Sequence, residues 1–214
     1  MRPAFFITGI GTGVGKTVIS AILTEGLDAD YWKPVQAGFE DGTDAGNVGS
    51  LITDPFGRIH DEVYRFSMPA SPHIAAREEG IHISLEKIKA EYERLCSLSD
   101  APLIIEGAGG LLVPLNETQT MFDLVKVLNV PVIIVSRNYL GSINHSLLTA
   151  GILKQDSAIV LGWIFNDQFM QYEKEIASWT QLPILGSVPF KDKPGKDFIR
   201  QQAALIKPEL KKYV

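Results

Sequence analysis

The sequence has little of what marks a secreted, membrane-spanning or nucleic-acid-binding protein. Cys96 is its one cysteine in 214 residues, which excludes an internal disulfide and indicates a reducing compartment. The longest apolar runs, such as residues 158–165, fall far short of the ~20 residues that span a bilayer. Lysine and arginine number 20 against 25 acidic residues, a net charge of −5, which argues against nucleic acid as a partner. Residues 1–13 lack the long apolar region of a secretory signal, so we expect a cytoplasmic protein with no membrane partner.

The apolar residues, 45% of the chain, form an alternation of strand and helix patterns. Continuous apolar runs, expected of strands covered on both faces, lie at residues 4–8, 103–105, 130–135, 159–165 and 184–188, with a weaker one at 31–35. Helical patterns lie at residues 18–27, 85–98, 143–154, 172–180 and 197–210. The alternation predicts one α/β domain over residues 1–214, a doubly wound, mostly parallel sheet with helices on both faces. Residues 39–80 look less regular and are expected to fold over one end of the sheet.

A glycine-rich segment follows the first predicted strand. Gly9-Ile10-Gly11-Thr12-Gly13-Val14-Gly15-Lys16-Thr17 leads from that strand into a helix, the context in which a Gly-Lys-Thr match binds phosphate. Glycines let successive backbone N–H groups converge on an anion, and the helix N-terminus adds partial positive charge. We expect Lys16 to reach the β and γ phosphates and Thr17 to ligate Mg²⁺. Five residues separate Gly9 from Gly15, one more than the standard motif allows.

Two carboxylates and one lysine are candidates for the same site. Glu106 ends an apolar run and precedes glycines, where most phosphate-loop enzymes place an Asp that ligates the metal. A carboxylate beside Mg²⁺ and triphosphate stays ionised because the cation stabilises its charged form. Asp44, in Gly42-Thr43-Asp44-Ala45, is a third candidate ligand. Lys33 would supply a fixed cation at the carboxyl edge of the sheet.

Seven segments and Asp44 together resemble the dethiobiotin synthetase family. The segments are residues 8–17, 33–38, 70–73, 106–110, 140–145, 162–167 and 186–189, which occur in the family's order and span nearly the whole chain. The phosphate loop alone is shared by many nucleotide enzymes. The Lys-Pro-Val, Glu-Gly-Ala-Gly-Gly and Leu-Gly-x-Ile-Asn-His segments are much more specific.

The resemblance implies a homodimeric enzyme that uses ATP and Mg²⁺ to close the cyclic urea of dethiobiotin from 7,8-diaminononanoate and CO₂, releasing ADP and phosphate. Catalytic roles fall to Lys33 and Lys16, and the metal ligands are Thr17, Asp44 and Glu106. The implied substrate contacts are Ala37, Gly38, Gly141 and Asn144, with the last two receiving the substrate carboxylate across the dimer interface. The implied nucleotide-binding positions, among which Asn166 reads adenine and Pro189 lines the base, are Thr12, Gly13, Val14, Gly15, Lys16, Thr17, Asp44, Glu106, Gly109, Asn166, Asp167 and Pro189.

The sequence departs from the family pattern at two of these positions. Gly13 stands where the family often has an acidic or polar residue, so any contact from that side chain is missing. Ala37 stands where some relatives have a serine that hydrogen-bonds the substrate. The backbone of Ala37 and Gly38 could still serve that purpose.

Other enzyme and switch classes share this kind of phosphate loop. The leading alternative is a regulatory ATPase of the septum-placement or chromosome-partition type, which usually has a further lysine near the start of the loop; residues 9–14 contain none. An amide-forming synthase acting on a cobalamin precursor normally brings a glutamine-hydrolysing domain, for which 214 residues leave no room. A GTPase is disfavoured because Asn166-Asp167-Gln168-Phe169 lacks the Asn-Lys-x-Asp pattern that reads guanine.

Overall fold

The computed structural model describes residues 2–40, 42–167 and 169–214. Gln168, within the segment that lacks the guanine-reading pattern, lies outside these residues. The described chain forms strands β1 Ala4–Gly9, β2 Asp30–Trp32, β3 Val35–Ala37, β4 Ile59–His60, β5 Tyr64–Phe66, β6 Leu103–Gly110, β7 Val132–Ser136, β8 Val160–Asn166 and β9 Ile184–Val188. Its α-helices are α1 Lys16–Gly26, α2 Asp44–Leu51, α3 Pro72–Glu78, α4 Leu85–Leu98, α5 Met121–Leu128, α6 Ser142–Gln155, α7 Glu173–Thr180 and α8 Lys196–Leu210. None of the described helices is both long enough and apolar enough to cross a bilayer.

Seven strands form one parallel sheet in the order β4-β2-β6-β1-β7-β8-β9. Every residue of the central strand β1 is buried, which requires cover on both faces. Around the sheet, α1 packs against α2 and α8, α4 against α5, and α6 against α7. The doubly wound α/β architecture is therefore confirmed, and the five strong apolar runs correspond to β1, β6, β7, β8 and β9.

The expectation of one strand over residues 31–35 was wrong. The chain leaves the main sheet at Pro34 and begins β3, which pairs with β5 in a separate two-stranded sheet. Pro34 has no N–H to donate to a ladder, and its carbonyl instead accepts from the backbone of Val63 and Tyr64 at 3.0 and 3.1 Å. The sequence pattern of a strand runs on through Pro34, but the backbone hydrogen bonding of β2 ends at Trp32, before this proline.

The interpretation of residues 39–80 as irregular was also too simple. This segment contains α2, β4, β5 and α3, each of two to eight residues. Elements this short do not complete a clear period in the sequence, so the hydrophobic pattern could not reveal them. They supply the edge strand β4 and, as shown below, one wall of a cavity.

The parallel arrangement gathers the candidate site residues. All strands of the main sheet end at the same edge, and the chain first builds outward from β1 to β2 and β4, then to β7, β8 and β9. The chain adds strands on the β6 side of β1 first and on the β7 side afterwards, so the order in which strands are added reverses at the central strand β1. Ligands of open α/β sheets bind beyond the carboxyl ends at such a reversal. The fold therefore places the phosphate loop, Lys33 and Glu106 at one edge.

The opposite edge holds a buried ion pair. The Arg2 guanidinium, whose side chain is 0% exposed, donates to the Asp30 carboxylate and to the backbone carbonyls of Leu95 and Ala101. His60 Nε2 lies 3.1 Å from the same Asp30 oxygen. Burial alone would raise the pKa of Asp30, but hydrogen bonds with His60 and Arg2 and the charge of Arg2 hold it below its usual value. The pair joins the chain start to the beginning of β2.

Replacing Asp30 by Asn should lower the free energy of unfolding by about 3 kcal/mol, because it leaves the Arg2 charge buried without a counter-charge. Asp197→Asn is the matched control, since its partner Arg200 is exposed and exposed pairs contribute about 1 kcal/mol or less. Urea titrations monitored by circular dichroism measure both free energies of unfolding.

The stabilisation from Asp30 also depends on pH, because the pKa of Asp30 is lower in the folded protein than in the unfolded chain. This stabilisation is fully present above the usual carboxyl pKa and is lost as pH falls through the lowered pKa. Equal stability of Asp30→Asn and wild type would contradict this account.

Candidate functional site

The phosphate loop joins β1 to α1 through two left-handed glycines. Gly13 has φ +73° and Gly15, the residue before α1, has φ +90°, conformations that glycine adopts without strain. Within the described chain, no side chain caps the start of α1 and its first turn has no acidic residue. The first N–H groups of the helix therefore remain available to an anion, as in other helix-terminal phosphate sites.

Lys16 folds back over this loop. Its Nζ donates to the backbone carbonyl of Gly11 at 3.0 Å, and the residue is buried. Burial lowers the pKa of Lys16 to about 8, partly opposed by Glu106, while Lys33 lowers it further. A phosphate anion bound in the loop would favour the charged form and restore the ammonium. The structure thus places Lys16 inside the loop, and its predicted contact with phosphate remains a prediction.

A group of four polar side chains meets beside the loop. Thr17 Oγ1 lies 2.6 Å from Asp44 Oδ1 and 3.0 Å from Glu106 Oε1, and the Lys33 ammonium contacts Asp44 and lies 3.6 Å from Glu106 Oε1. We call Thr17, Lys33, Asp44 and Glu106 the charge cluster. The sequence-predicted metal ligands and the predicted catalytic lysine are therefore in direct contact. They come from α1, the end of β2, the start of α2 and β6.

The charge cluster shifts the pKa values of its members. Burial would lower the pKa of Lys33, but Glu106 and Asp44 outweigh it and raise the pKa above its ordinary value. Burial would raise the pKa of Asp44, but the Lys33 charge and hydrogen bonds from Lys33 and Thr17 hold it down. Lys33 is therefore a permanent cation next to an ionised Asp44 at neutral pH.

The oxygens of the charge cluster suit a hard divalent cation. The Thr17 hydroxyl has one proton and cannot donate to both carboxylates at once, so two acceptors converge where one donor is available. Among the described residues, no three His, Cys, Asp or Glu side chains form a metal site on their own. Magnesium is commonly held by one or two carboxylates completed by phosphates and water, and this donor set fits that pattern.

Two residues that the sequence analysis missed hold the charge cluster in place. Tyr31 donates its hydroxyl to Glu106 Oε2 at 3.0 Å. Burial and the neighbouring Glu106 raise the pKa of Tyr31 well above its ordinary value, so the phenol stays protonated and donates. Gln36 accepts from the backbone N–H of Asp44 and donates to the carbonyl of Gly38 at 2.8 Å. The only signals in the sequence were that Tyr31 lies two residues before Lys33 and that Gln36 falls within the family-like segment 33–38.

A cavity of about 480 Å³ opens beside the charge cluster. Lys33 and Asp44 form one side, and the predicted positions Thr12, Ala37 and Gly109 line it too. Residues 69–72, from the segment expected to be irregular, close another side. Gly38 has φ +77° and packs so tightly on Pro69 that a Cβ there would lie 2.7 Å from the ring. The cavity is large enough for a small acyclic substrate next to the loop.

The predicted base-binding residues lie on the other side of the loop. Asn166 Nδ2 donates to the carbonyl of Val14 at 3.0 Å and covers Gly15. Asp167 accepts from Arg137 Nε at 3.2 Å, and Pro189 follows β9 at the exposed edge. Strands β8 and β9 are the second and third from β1, about 10 and 14 Å away at ordinary strand spacing. Arg137 is a further neighbour that the sequence did not indicate.

Gly141 and Asn144 do not line the Lys33 cavity. Gly141, with φ +102°, precedes α6, and Asn144 lies exposed on its first turn. The following residues of α6 line a separate groove of about 400 Å³ that also borders Thr12 of the phosphate loop. The structure therefore places these two predicted substrate contacts near the loop but outside the cavity of their own chain.

Solved structures with this architecture include cell-division and partition ATPases. The MinC:MinD cell division protein complex of Aquifex aeolicus matches with a TM-score of 0.60 and 15% identity, over 99% of this chain and 95% of that one. A ParA family ATPase from Chlorobium tepidum matches with a TM-score of 0.57 and 14% identity, over 98% and 91%. At such identities the likeness concerns the fold alone.

Sequence comparison is more specific. A family model described as an AAA domain matches residues 3–196. An ATP-dependent dethiobiotin synthetase of Cytophaga hutchinsonii is 44% identical over 203 residues, covering 94% of this chain and 96% of the relative. The corresponding protein of Novosphingobium aromaticivorans is 43% identical over 187 residues, covering 87% of each. With the phosphate loop and the charge cluster in place, the chain belongs to the ATP-dependent dethiobiotin synthetase family.

Proposed function

We propose that this protein closes the cyclic urea of dethiobiotin from 7,8-diaminononanoate, CO₂ and ATP. The observation that carries the proposal is the position of Lys33, whose ammonium contacts Asp44 beside the phosphate loop and faces the cavity of about 480 Å³. A diamine that has captured CO₂ carries a carbamate anion, and the cavity offers that anion a buried cation next to the expected position of the terminal phosphate. The family relationship supports the same reaction.

The chemistry requires no covalent bond to the protein. One amine adds to CO₂ and loses a proton, forming a carbamate. A carbamate oxygen attacks the terminal phosphorus of ATP, and the bond from that phosphorus to the oxygen of ADP breaks. The second amine attacks the carbamoyl carbon, the bond to the phosphate oxygen breaks, and the amine proton is lost as the ring closes. Positioning and charge stabilisation are what such a sequence needs from an enzyme.

The two lysines divide the stabilisation of negative charge. Lys16, inside the loop, pairs with the terminal phosphate of the nucleotide. Lys33, at the cavity, holds the carbamate and accompanies the phosphoryl group as it moves between the two oxygens. Both ammonium groups are buried, and a fixed charge acts more strongly there than in water. The main-chain N–H groups at Gly13, Val14 and Gly15 complete the phosphate cradle.

The remaining nucleotide contacts follow from the same arrangement. Thr17, Asp44 and Glu106 would hold Mg²⁺, which when bound neutralises phosphate charge. Asn166, which donates to Val14 in the loop, would read adenine, with Asp167 beside it in the chain and Pro189 just after the neighbouring strand β9. Strands β8 and β9 lie on one side of β1 and β2 lies on the other. The base would therefore bind on one side of the loop and the substrate on the other.

The proposal includes a homodimer. Leu148 and Leu112 line the groove between the loop and α6 and are 57% and 56% exposed, and Leu140, two residues before α6, is 96% exposed. Exposed apolar side chains gathered beside a groove are typical of a protein–protein interface. Gly141 and Asn144 adjoin it but not the cavity of their own chain, so a second copy would bring them to receive the substrate carboxylate.

Apart from the second copy of the chain, the partners that this function requires are small molecules. The single cysteine, Cys96, is half-buried on α4 and unpaired, which suits a reducing cytoplasm. We therefore place the reaction in the cytoplasm.

ATP hydrolysis by the purified protein should depend strictly on the diamine and bicarbonate. Steady-state release of ADP, measured with each component omitted in turn, tests this directly. A regulatory ATPase would instead hydrolyse ATP without the diamine and respond to a membrane or protein partner. Hydrolysis that is unchanged by omission of the diamine would refute the proposed reaction.

Lys33→Met should lower kcat by at least about 100-fold, because it removes the charge that stabilises the carbamate and the moving phosphoryl group. Affinity for a non-hydrolysable ATP analogue, measured by titration calorimetry, should change little. Lys89→Met removes an exposed lysine on α4 and serves as the matched control. A Lys33→Met enzyme with wild-type turnover would exclude Lys33 from catalysis.

Thr17→Val keeps the shape of the side chain but removes the oxygen offered to the metal. We expect the Mg²⁺ concentration at half-maximal rate to rise about tenfold or more. Thr53→Val, which removes an exposed hydroxyl bonded to Glu25, is the control and should leave the titration unchanged. An identical Mg²⁺ titration for Thr17→Val and wild type would remove Thr17 from the ligand set.

A further inference from the structure

The two carboxylate oxygens of Glu106 have different partners. Oε1 faces the charge cluster, 3.0 Å from Thr17 Oγ1 and 3.6 Å from Lys33 Nζ. Oε2 points away and accepts the hydroxyl of Tyr31 at 3.0 Å. The side chain of Glu106 is 1% exposed, so water does not compete for either oxygen. Oε1 is therefore available to ligate a cation in the charge cluster, and Oε2 is hydrogen-bonded to Tyr31.

Tyr31 is fixed in this role by the sheet. Strand β2 lies directly beside β6, with Tyr31 paired to Ile104 and Trp32 to Ile105. Tyr31 is 0% exposed and cannot change rotamer without displacing its neighbours. The hydroxyl is therefore a rigid donor. Glu106 could turn both oxygens toward one point only by weakening the bond that Oε2 accepts from this fixed donor.

The number of oxygens that Glu106 offers matters to the choice of cation. Ca²⁺ accepts six to eight oxygens in flexible geometry and often takes both oxygens of one carboxylate. Mg²⁺ is smaller and requires near-ideal octahedral geometry at short distances, a geometry that a carboxylate binding through a single oxygen satisfies more readily than one binding through both. Residues that hydrogen-bond a ligand orient it and change metal affinity by about 10- to 100-fold when mutated.

We propose that Tyr31 is a positioning residue that confines Glu106 to a single ligating oxygen and thereby makes the nucleotide site select Mg²⁺ over Ca²⁺. The inference rests on the proposed function, since it assumes that Glu106 holds the cation of a metal–ATP complex. It adds a specificity-determining residue that touches neither nucleotide nor substrate.

Tyr31→Phe tests the proposal because it removes the hydroxyl and keeps the ring. The measurement is the dissociation constant of a non-hydrolysable ATP analogue by titration calorimetry, once with saturating Mg²⁺ and once with saturating Ca²⁺. In the variant we expect the Mg²⁺ constant to rise about tenfold and the Ca²⁺ constant to change by less than about threefold. The Ca²⁺/Mg²⁺ ratio of the two constants should therefore fall several-fold. No turnover is needed for this readout.

The matched control is Tyr64→Phe. It also removes a nearly buried phenol hydroxyl, one that accepts from the backbone N–H of Ser84 outside the charge cluster, and its ratio should equal that of wild type. Circular dichroism and thermal melting establish that each variant is folded. If Tyr31→Phe does not fold, Tyr31→Met fills the same space with a flexible apolar chain and is measured in its place.

Two results would overturn one claim or the other. A Tyr31 variant with the wild-type ratio, whether both constants are unchanged or rise equally, would show that the phenol does not act on selectivity. Wild-type protein whose analogue binding is unaffected by either cation would instead refute the metal-dependent function proposed above. A fall in the ratio confined to the Tyr31 variant would support the proposal.

Discussion

The contact of Lys33 with Asp44 and Glu106 is the constraint on which the site depends. Glu106 is 1% exposed and Lys33 8%, and charges this deeply buried are tolerated only when paired. Because Lys33, Asp44 and Glu106 come from three separate elements, the pairing ties β2, α2 and β6 together at the carboxyl edge. The same three charges that stabilise one another are the ones to which the proposed mechanism gives roles, so the folding of this edge and the proposed catalysis require the same residues.

The parallel sheet gives this edge a direction. From β2 through β6 and β1 to β8 and β9, the edge of the sheet carries first Lys33, then the phosphate loop, and last the positions proposed to bind the base. A linear co-substrate can lie along such a row with only its reacting end next to the cavity. Strands hold their ends more rigidly than loops do, which suits a reaction that needs alignment and no protein nucleophile.

The sequence was most informative where structure is local. The phosphate loop, its flanking strand and helix, and the continuous strands of the sheet centre could all be predicted because neighbouring residues determine them. Asp44 was found only as a weak candidate, since its partners Thr17 and Lys33 come from other elements. Tyr31 was not found at all, because its bond to Glu106 joins residues 75 positions apart and a tyrosine in a strand normally indicates core packing.

The two left-handed glycines of the loop are there for different physical reasons. A Cβ at Gly15 would lie 1.9 Å from Asn166 Nδ2, so any side chain would displace the residue proposed to read the base. A Cβ at Gly13 would meet nothing within 4 Å, and only its φ of +73° favours glycine. The absent family side chain at Gly13 is therefore not excluded by packing. At Gly15, in contrast, the lack of a side chain lets the Asn166 amide pack directly on the loop backbone and donate to the carbonyl of Val14. The conformation of the loop and the position of Asn166 therefore depend on the same glycine.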